Sequence, residues 1–213
     1  MSENTTITVT NSQQGDYPVI IGSRAIDQLQ SLLPGDAKKV LIAHAPPLAA
    51  IAESLKELLA PERQVYLAEL PDAEGAKRSE VVSFCWGVLG QTDFNRTDAI
   101  VSLGGGATTD VAGFVAATWL RGVPLIHIPT TVLAMVDASI GGKTGINTAE
   151  GKNLVGSFYA PRTCWAVCRR MKCEPVSQRL SNVVSSKTPP SSTFSKSIPK
   201  PLWTPPPRFS WTW

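Results

Sequence analysis

From Lys38 to Pro129, short apolar runs alternate with helix-length amphipathic stretches, and this alternation constrains the fold more than any other feature of the chain. The runs "VLIA" (Val40–Ala43), "RQVYLAEL" (Arg63–Leu70), "DAIVSL" (Asp98–Leu103) and "VPLIHI" (Val123–Ile128) have the length and β-branched content of buried strands. Between them, "LAAIAESLKELLA" and the segment from Val81 to Leu89 carry apolar residues at helical spacing. Strands at Ile7–Val9 and Tyr17–Ile21, and a helix from about Arg24 to Leu33, are expected ahead of these. Strands alternating with helices predict an α/β fold, a mainly parallel sheet with flanking helices. Ligands of such sheets sit beyond the carboxyl ends of the strands. The loops after Ala43, Leu70, Leu103 and Ile128 are therefore where chemistry is expected.

The third of those loops is "GGGATTD". Glycines at the end of a buried strand permit positive φ and a close approach of backbone to ligand. The helix that follows offers free N–H groups and the positive end of its dipole to an anion. Gly104, Gly105 and Gly106, followed by Ala107, Thr108, Thr109 and Asp110, thus form a candidate pyrophosphate cradle. The spacing is not the G-x-G-x-x-G of the common dinucleotide fingerprint, which points to a different kind of nucleotide binder.

The stretch "IPTTVLAMVDASIGGKTGINTAEGKNLVGSF" gathers hydroxyls (Thr130, Thr131), a carboxylate (Asp137), two lysines beside glycine (Lys143, Lys152) and an amide (Asn153). A lysine flanked by glycine reaches a small anion without competing side chains and meets it as a compact point charge.

Taken together, "GGGATTDVAGFVAATWLRGVPLIHIPTTVLAMVDASIGGKTGINTAEGKNLVGSFYAP" and the upstream "LPDAEGAK" resemble 3-dehydroquinate synthase, of the sugar phosphate cyclases, over roughly residues 1–162. The resemblance implies a Rossmann-like NAD-binding domain over 1–162, with the family's C-terminal helical domain missing. It implies a cytoplasmic lyase of the shikimate pathway, leading to chorismate and the aromatic amino acids. Such an enzyme converts 3-deoxy-arabino-heptulosonate 7-phosphate to 3-dehydroquinate and phosphate, with NAD and a divalent metal (zinc or cobalt), as a homodimer. By position, Asp72, Glu74 and Lys77 fall at the nucleotide ribose, Gly106 through Asp110 at the pyrophosphate, and Thr130 and Thr131 at the nicotinamide side. Lys143 and Lys152 belong to both the cofactor and catalytic sets, the latter completed by Asp137, Asn153 and Arg121. Arg121 matches an arginine that reaches the substrate phosphate from a neighbouring subunit.

The family's metal rests on a glutamate and two histidines of the helical domain, whereas this chain has two histidines in all, His44 and His127. His127 sits inside an apolar strand, as packed core histidines do; His44 ends a strand where the nucleotide belongs. No metal ligand is therefore assigned, and the chain as written is expected to be inactive. The alternatives are a catalytically inactive NAD-binding fragment, another sugar phosphate cyclase, or a glycerol-dehydrogenase-like enzyme.

Composition breaks after Arg162. Residues 1–162 carry 12 Lys and Arg against 16 Asp and Glu and all 16 glycines, whereas residues 163–213 carry 8 basic residues against 1 acidic, 8 prolines and 4 tryptophans. A Ser/Pro-rich segment without a sustained period is expected to be a non-homologous, disordered tail. A shift of reading frame produces such a break, as does a splice or a degenerate relative. Cys164, Cys168 and Cys173 lack a fourth ligand for zinc, and disulfides are not expected from them or from Cys85. No basic-aromatic motif of a nucleic-acid reader accompanies the basic tail, and neither a membrane helix nor a signal peptide is expected.

Overall fold

The computed structural model describes residues 4–10, 15–22 and 28–167. Nine strands are described: β1 Thr5–Val9, β2 Tyr17–Gly22, β3 Lys39–His44, β4 Gln64–Glu69, β5 Ala99–Gly104, β6 Leu125–Pro129, β7 Lys143–Thr148, β8 Gly151–Phe158 and β9 Thr163–Val167. Four α-helices accompany them: α1 Leu29–Leu32, α2 Ala49–Leu59, α3 Ser79–Gln91 and α4 Gly106–Thr118. Seven strands form one sheet in the order β1-β2-β9-β6-β5-β3-β4, parallel throughout except for the β1–β2 pair. β7 and β8 form a separate antiparallel hairpin.

Side-chain alternation along the strands feeds two cores. From β3, Leu41 and Ala43 join the helices α3 and α4 on one face, while Val40 and Ile42 join α1 and α2 on the other. Residues two apart share a face, so a strand apolar at every position belongs between two helical layers. The chain leaves β3 for its neighbour β4 on one side and returns through α3 to β5 on the other side of β3. The strand order reverses there, and a crevice opens beyond the carboxyl ends of β3 and β5, where sheets of this kind bind ligands.

One expectation lies partly outside the described residues and another changes. The first half of the helix expected from Arg24 falls on residues 23–27, outside the described residues, and α1 itself is one short turn. The sheet also does not end at Arg162: β9 lies between β2 and β6, with Cys164 in register with Val19 and His127. "TCWAV" follows the composition break directly, yet its backbone completes the parallel ladder that β2 and β6 leave open. The expectation of a disordered tail falls, for residues 168–213, outside the described residues.

Cys85 and Cys164 are buried, and Cys164 Sγ lies 3.0 Å from Ser139 Oγ. No helix among the described residues is long and apolar enough to cross a membrane.

His127 is buried in β6, its Nδ1 2.7 Å from Ser102 Oγ. Burial disfavours its charged form and pushes its pKa down to about 3, so the folded protein keeps it neutral. Unfolded, an imidazole titrates near 6.5. Between these two values the unfolded chain binds the extra proton, so stability is full above the upper value and falls as pH drops towards the lower. The expected slope is about 1.4 kcal/mol per pH unit across that window. Urea denaturation at several pH values should show it, and His127→Gln should flatten the profile; an unchanged slope would assign the acid sensitivity elsewhere.

Candidate functional site

The crevice is a cavity of about 660 Å³ whose walls come from the four loops that follow β3, β4, β5 and β6, with Asp137, Ala138 and Asn153 closing one side. The junction of β5 with α4 forms its floor. Gly104 ends the strand, its carbonyl accepting the Thr130 amide at 2.9 Å, and Gly105 leads into the helix in extended conformation (φ −80, ψ −171). None of the three glycines uses positive φ, which corrects one reason for expecting them. Their use is close approach. A Cβ on Gly104 would lie 2.6 Å from Thr108 Oγ1, whereas on Gly105 and Gly106 it would stand 3.4 Å from Thr131 Cγ2 and from Ala138 Cβ.

No side chain caps α4, and no acidic residue occupies its first turn. The first amides of a helix have no intrahelical acceptors. Thr109, expected at the pyrophosphate, instead turns inward, donating from Oγ1 to the Gly105 carbonyl at 2.9 Å. Thr108 lines the cavity, and so do Gly105, Gly106, Ala107 and Asp110.

On the β4 side, Asp72 Oδ1 accepts the Ala73 amide at 2.8 Å and starts the 3-10 turn Ala73–Ala76, which carries Glu74 and leads to Lys77. Lys77 is 5% exposed. Its Nζ meets Asp110 Oδ2 at 2.5 Å and donates to Asn153 Oδ1 at 2.7 Å. Burial holds the Asp110 carboxyl above the ordinary carboxylate range, with Lys77 pulling the other way and Asp137 and Glu74 adding to the rise. The hydrogen bond from Asn147, with the charges of Lys77 and Lys152, holds Glu74 below that range.

On the β6 side, Thr131 Oγ1 accepts the Ala134 amide at 3.2 Å, where the π-helical turn Ala134–Ala138 that carries Asp137 begins. A second cavity of about 440 Å³ adjoins the first, sharing Asp110, Asp137, Ala138 and Asn153, with Lys143 on its wall. Lys143 follows two glycines in left-handed conformation. A Cβ on Gly142 (φ +71) would fall 2.8 Å from the Ala160 nitrogen, so the backbone that aims Lys143 requires glycine there. Gly141 is held from the other side, its amide donating to Tyr17 Oη at 2.9 Å.

The structure thus gathers Asp72, Glu74, Lys77, Gly105 to Thr108, Asp110, Thr130, Thr131, Asp137 and Asn153 around one crevice and Lys143 around its extension. Lys152 is exposed and lines neither cavity; its Nζ stands 3.7 Å from Glu74 Oε2. Arg121, exposed and left-handed (φ +64), lies beyond the far end of α4, away from the crevice. The sequence alone does not mark Asn147, although its bonds to Glu74, Lys77 and Asn153 tie the β4–α3 turn to the β7–β8 hairpin. An asparagine inside "GGKTGIN" carries no signal of its own until the hairpin folds back on the β4 loop.

A family described as 3-dehydroquinate synthase N-terminal matches residues 67–181, running past the composition break. The 3-dehydroquinate synthase of Leifsonia xyli subsp. xyli is 61% identical over 145 residues, covering 68% of this chain and 40% of that protein. The one from Arthrobacter sp. (strain FB24) is 50% identical over 184 residues, covering 85% of this chain and 51% of that protein. The chain spans about half the length of the curated relatives it matches. Among solved structures, 2-deoxy-scyllo-inosose synthase, complexed with carbaglucose-6-phosphate, NAD+ and Co2+, superposes with TM-score 0.71 at 28% identity, covering 76% of this chain and 45% of that one.

Proposed function

The chain belongs to the 3-dehydroquinate synthase family, and from that membership we propose that it carries the nucleotide-binding half of a lyase converting 3-deoxy-arabino-heptulosonate 7-phosphate to 3-dehydroquinate and phosphate. The observation that carries the reading is the uncapped start of α4, opening between Gly105 and the Lys77–Asp110–Asn153 network at the point where the strand order reverses. Free helix amides beside a glycine floor fit a pyrophosphate. In this reading the α4 amides and Thr108 take the pyrophosphate, Asp72, Glu74 and Lys77 the ribose, and Thr130 and Thr131 border the nicotinamide. When bound there, NAD would supply a reversible hydride acceptor for a ring carbon of the substrate.

The chain's own side chains set the charge around that site. Lys77 keeps a positive charge at Asp110, and Asn153 fixes that ammonium from a second direction. Lys143 and Asp137 border the adjoining cavity, where a sugar phosphate would present its anionic end to the lysine. Charge placed in advance, where negative charge develops during phosphate loss, lowers the barrier without reorganisation. Arg121 in this reading acts on the neighbouring subunit's phosphate in a homodimer, which accords with its position away from its own crevice.

The family's zinc or cobalt does not fit the residues described. Both histidines are buried in strands, neither lines the crevice or its extension, and no three His, Cys, Asp or Glu side chains converge among the described residues. The test is phosphate release from the heptulosonate phosphate, with NAD and zinc or cobalt present, by this chain and by this chain joined to the C-terminal half of a full-length relative. Release from the joined protein alone is expected; equal rates would overturn the assignment of the metal chemistry to that half.

A further inference from the structure

We propose that Asn147 is a positioning residue, the clasp that holds the β4–α3 turn against the β7–β8 hairpin and so fixes Lys77 between Asp110 and Asn153. Its amide group works in two directions: Nδ2 donates to Glu74 Oε2 at 2.9 Å, and Oδ1 accepts the Asn153 backbone amide at 2.9 Å. Its own backbone N–H donates to the Lys77 carbonyl at 2.9 Å. Three bonds from one residue therefore reach Glu74, Lys77 and Asn153, all on the crevice wall.

The Asn153 bond bears on strain. Asn153 is left-handed (φ +57), a conformation that asparagine adopts more readily than most residues but still at a cost. Its amide is held by Asn147, and its Oδ1 accepts from Lys77 Nζ at 2.7 Å. A change at Asn147 is thus transmitted to the Lys77 ammonium through Asn153 and, independently, through the Lys77 carbonyl. Asparagine suits the place because one face must donate to a carboxylate while the other accepts from an amide, which neither aspartate nor a hydrocarbon can do.

The inference rests on the crevice being the NAD site, and the experiment separates the two ideas. NAD affinity of the whole 213-residue chain is measured by titration calorimetry for wild type, Asn147→Asp, Glu74→Gln and the double variant. Asn147→Asp keeps the acceptor for Asn153 but sets a carboxylate against Glu74; with Glu74→Gln the new carboxylate again has a donor opposite it. An interaction of this kind shows as non-additivity: Asn147→Asp should weaken binding by about tenfold or more in the wild-type background and by less than about threefold in the Glu74→Gln background. Should Asn147→Asp fail to fold alone, recovery of a cooperative melt in the Glu74→Gln background reads the same coupling, and failure in both overturns it. Equal losses in the two backgrounds, or none in the first, would make Asn147 an ordinary hairpin residue. A folded wild type that takes up no NAD would remove the crevice reading and this inference with it.

Discussion

Lys77→Met is expected to abolish NAD binding and to destabilise the fold by about 3 kcal/mol, since removing one partner of a buried ion pair strands the other. The Lys77 and Asp110 side chains are 6% and 20% exposed, so solvent screens the pair little. In a domain of this size such a loss lowers the melting temperature by roughly 6–12 °C. The pH dependence identifies the cause. Burial already raises the Asp110 carboxyl, with Lys77 as the opposing influence; without Lys77 it rises further. A carboxyl whose folded pKa lies above its unfolded value binds more protons in the native state, so stability falls as pH rises through that window. The variant's deficit should therefore shrink in acid, and Lys77→Arg, which keeps the charge, should restore most of the stability. A deficit of the same size at every pH would mean that Asp110 is not the group left stranded.

Gly105→Leu is expected to abolish NAD binding while leaving the fold intact. The contrast with its neighbour gives the prediction its force. A Cβ on Gly105 stands 3.4 Å from Thr131 Cγ2, so the side chain has room to start, and Gly105 and Thr131 both line the crevice that the rest of it would fill. On Gly104 the Cβ would lie 2.6 Å from Thr108 Oγ1 and 2.7 Å from its Cβ, inside contact distance, so even Gly104→Ala must push α4 off the end of β5. Thermal unfolding should separate them: near wild type for Gly105→Leu, clearly lowered for Gly104→Ala. Undiminished NAD affinity in Gly105→Leu would remove the cradle from the account.

How much of this was legible in the sequence follows from which physical signal each part carries. Strands β3 to β6 and helices α2 and α3 announce themselves because a layer buried between helices must be apolar, and both periods are plain in residues 38–129. The glycine floor was visible as three consecutive residues, although the reason for them is steric closeness rather than left-handed backbone. In the sequence the β7–β8 hairpin shows only as a cluster of ligand groups. Glycine, lysine and asparagine are poor strand formers, and here the glycine serves close backbone contact: a Cβ on Gly145 would lie 3.0 Å from the Val155 carbonyl oxygen. Asn147 and the inward turn of Thr109 depend on contacts made only once the chain has folded, which no local pattern encodes. β9 was hidden by the composition break immediately before it, since five residues between β2 and β6 take their strand character from the ladders on either side.

The direct test of the central claim, that the crevice at the reversal of strand order holds NAD, is a calorimetric titration of the folded 213-residue chain with NAD. Saturable binding of one NAD per chain, weakened by salt as a phosphate contact should be and competed by ADP, is the result predicted. A cooperatively folded chain that shows no saturable heat with NAD would contradict it.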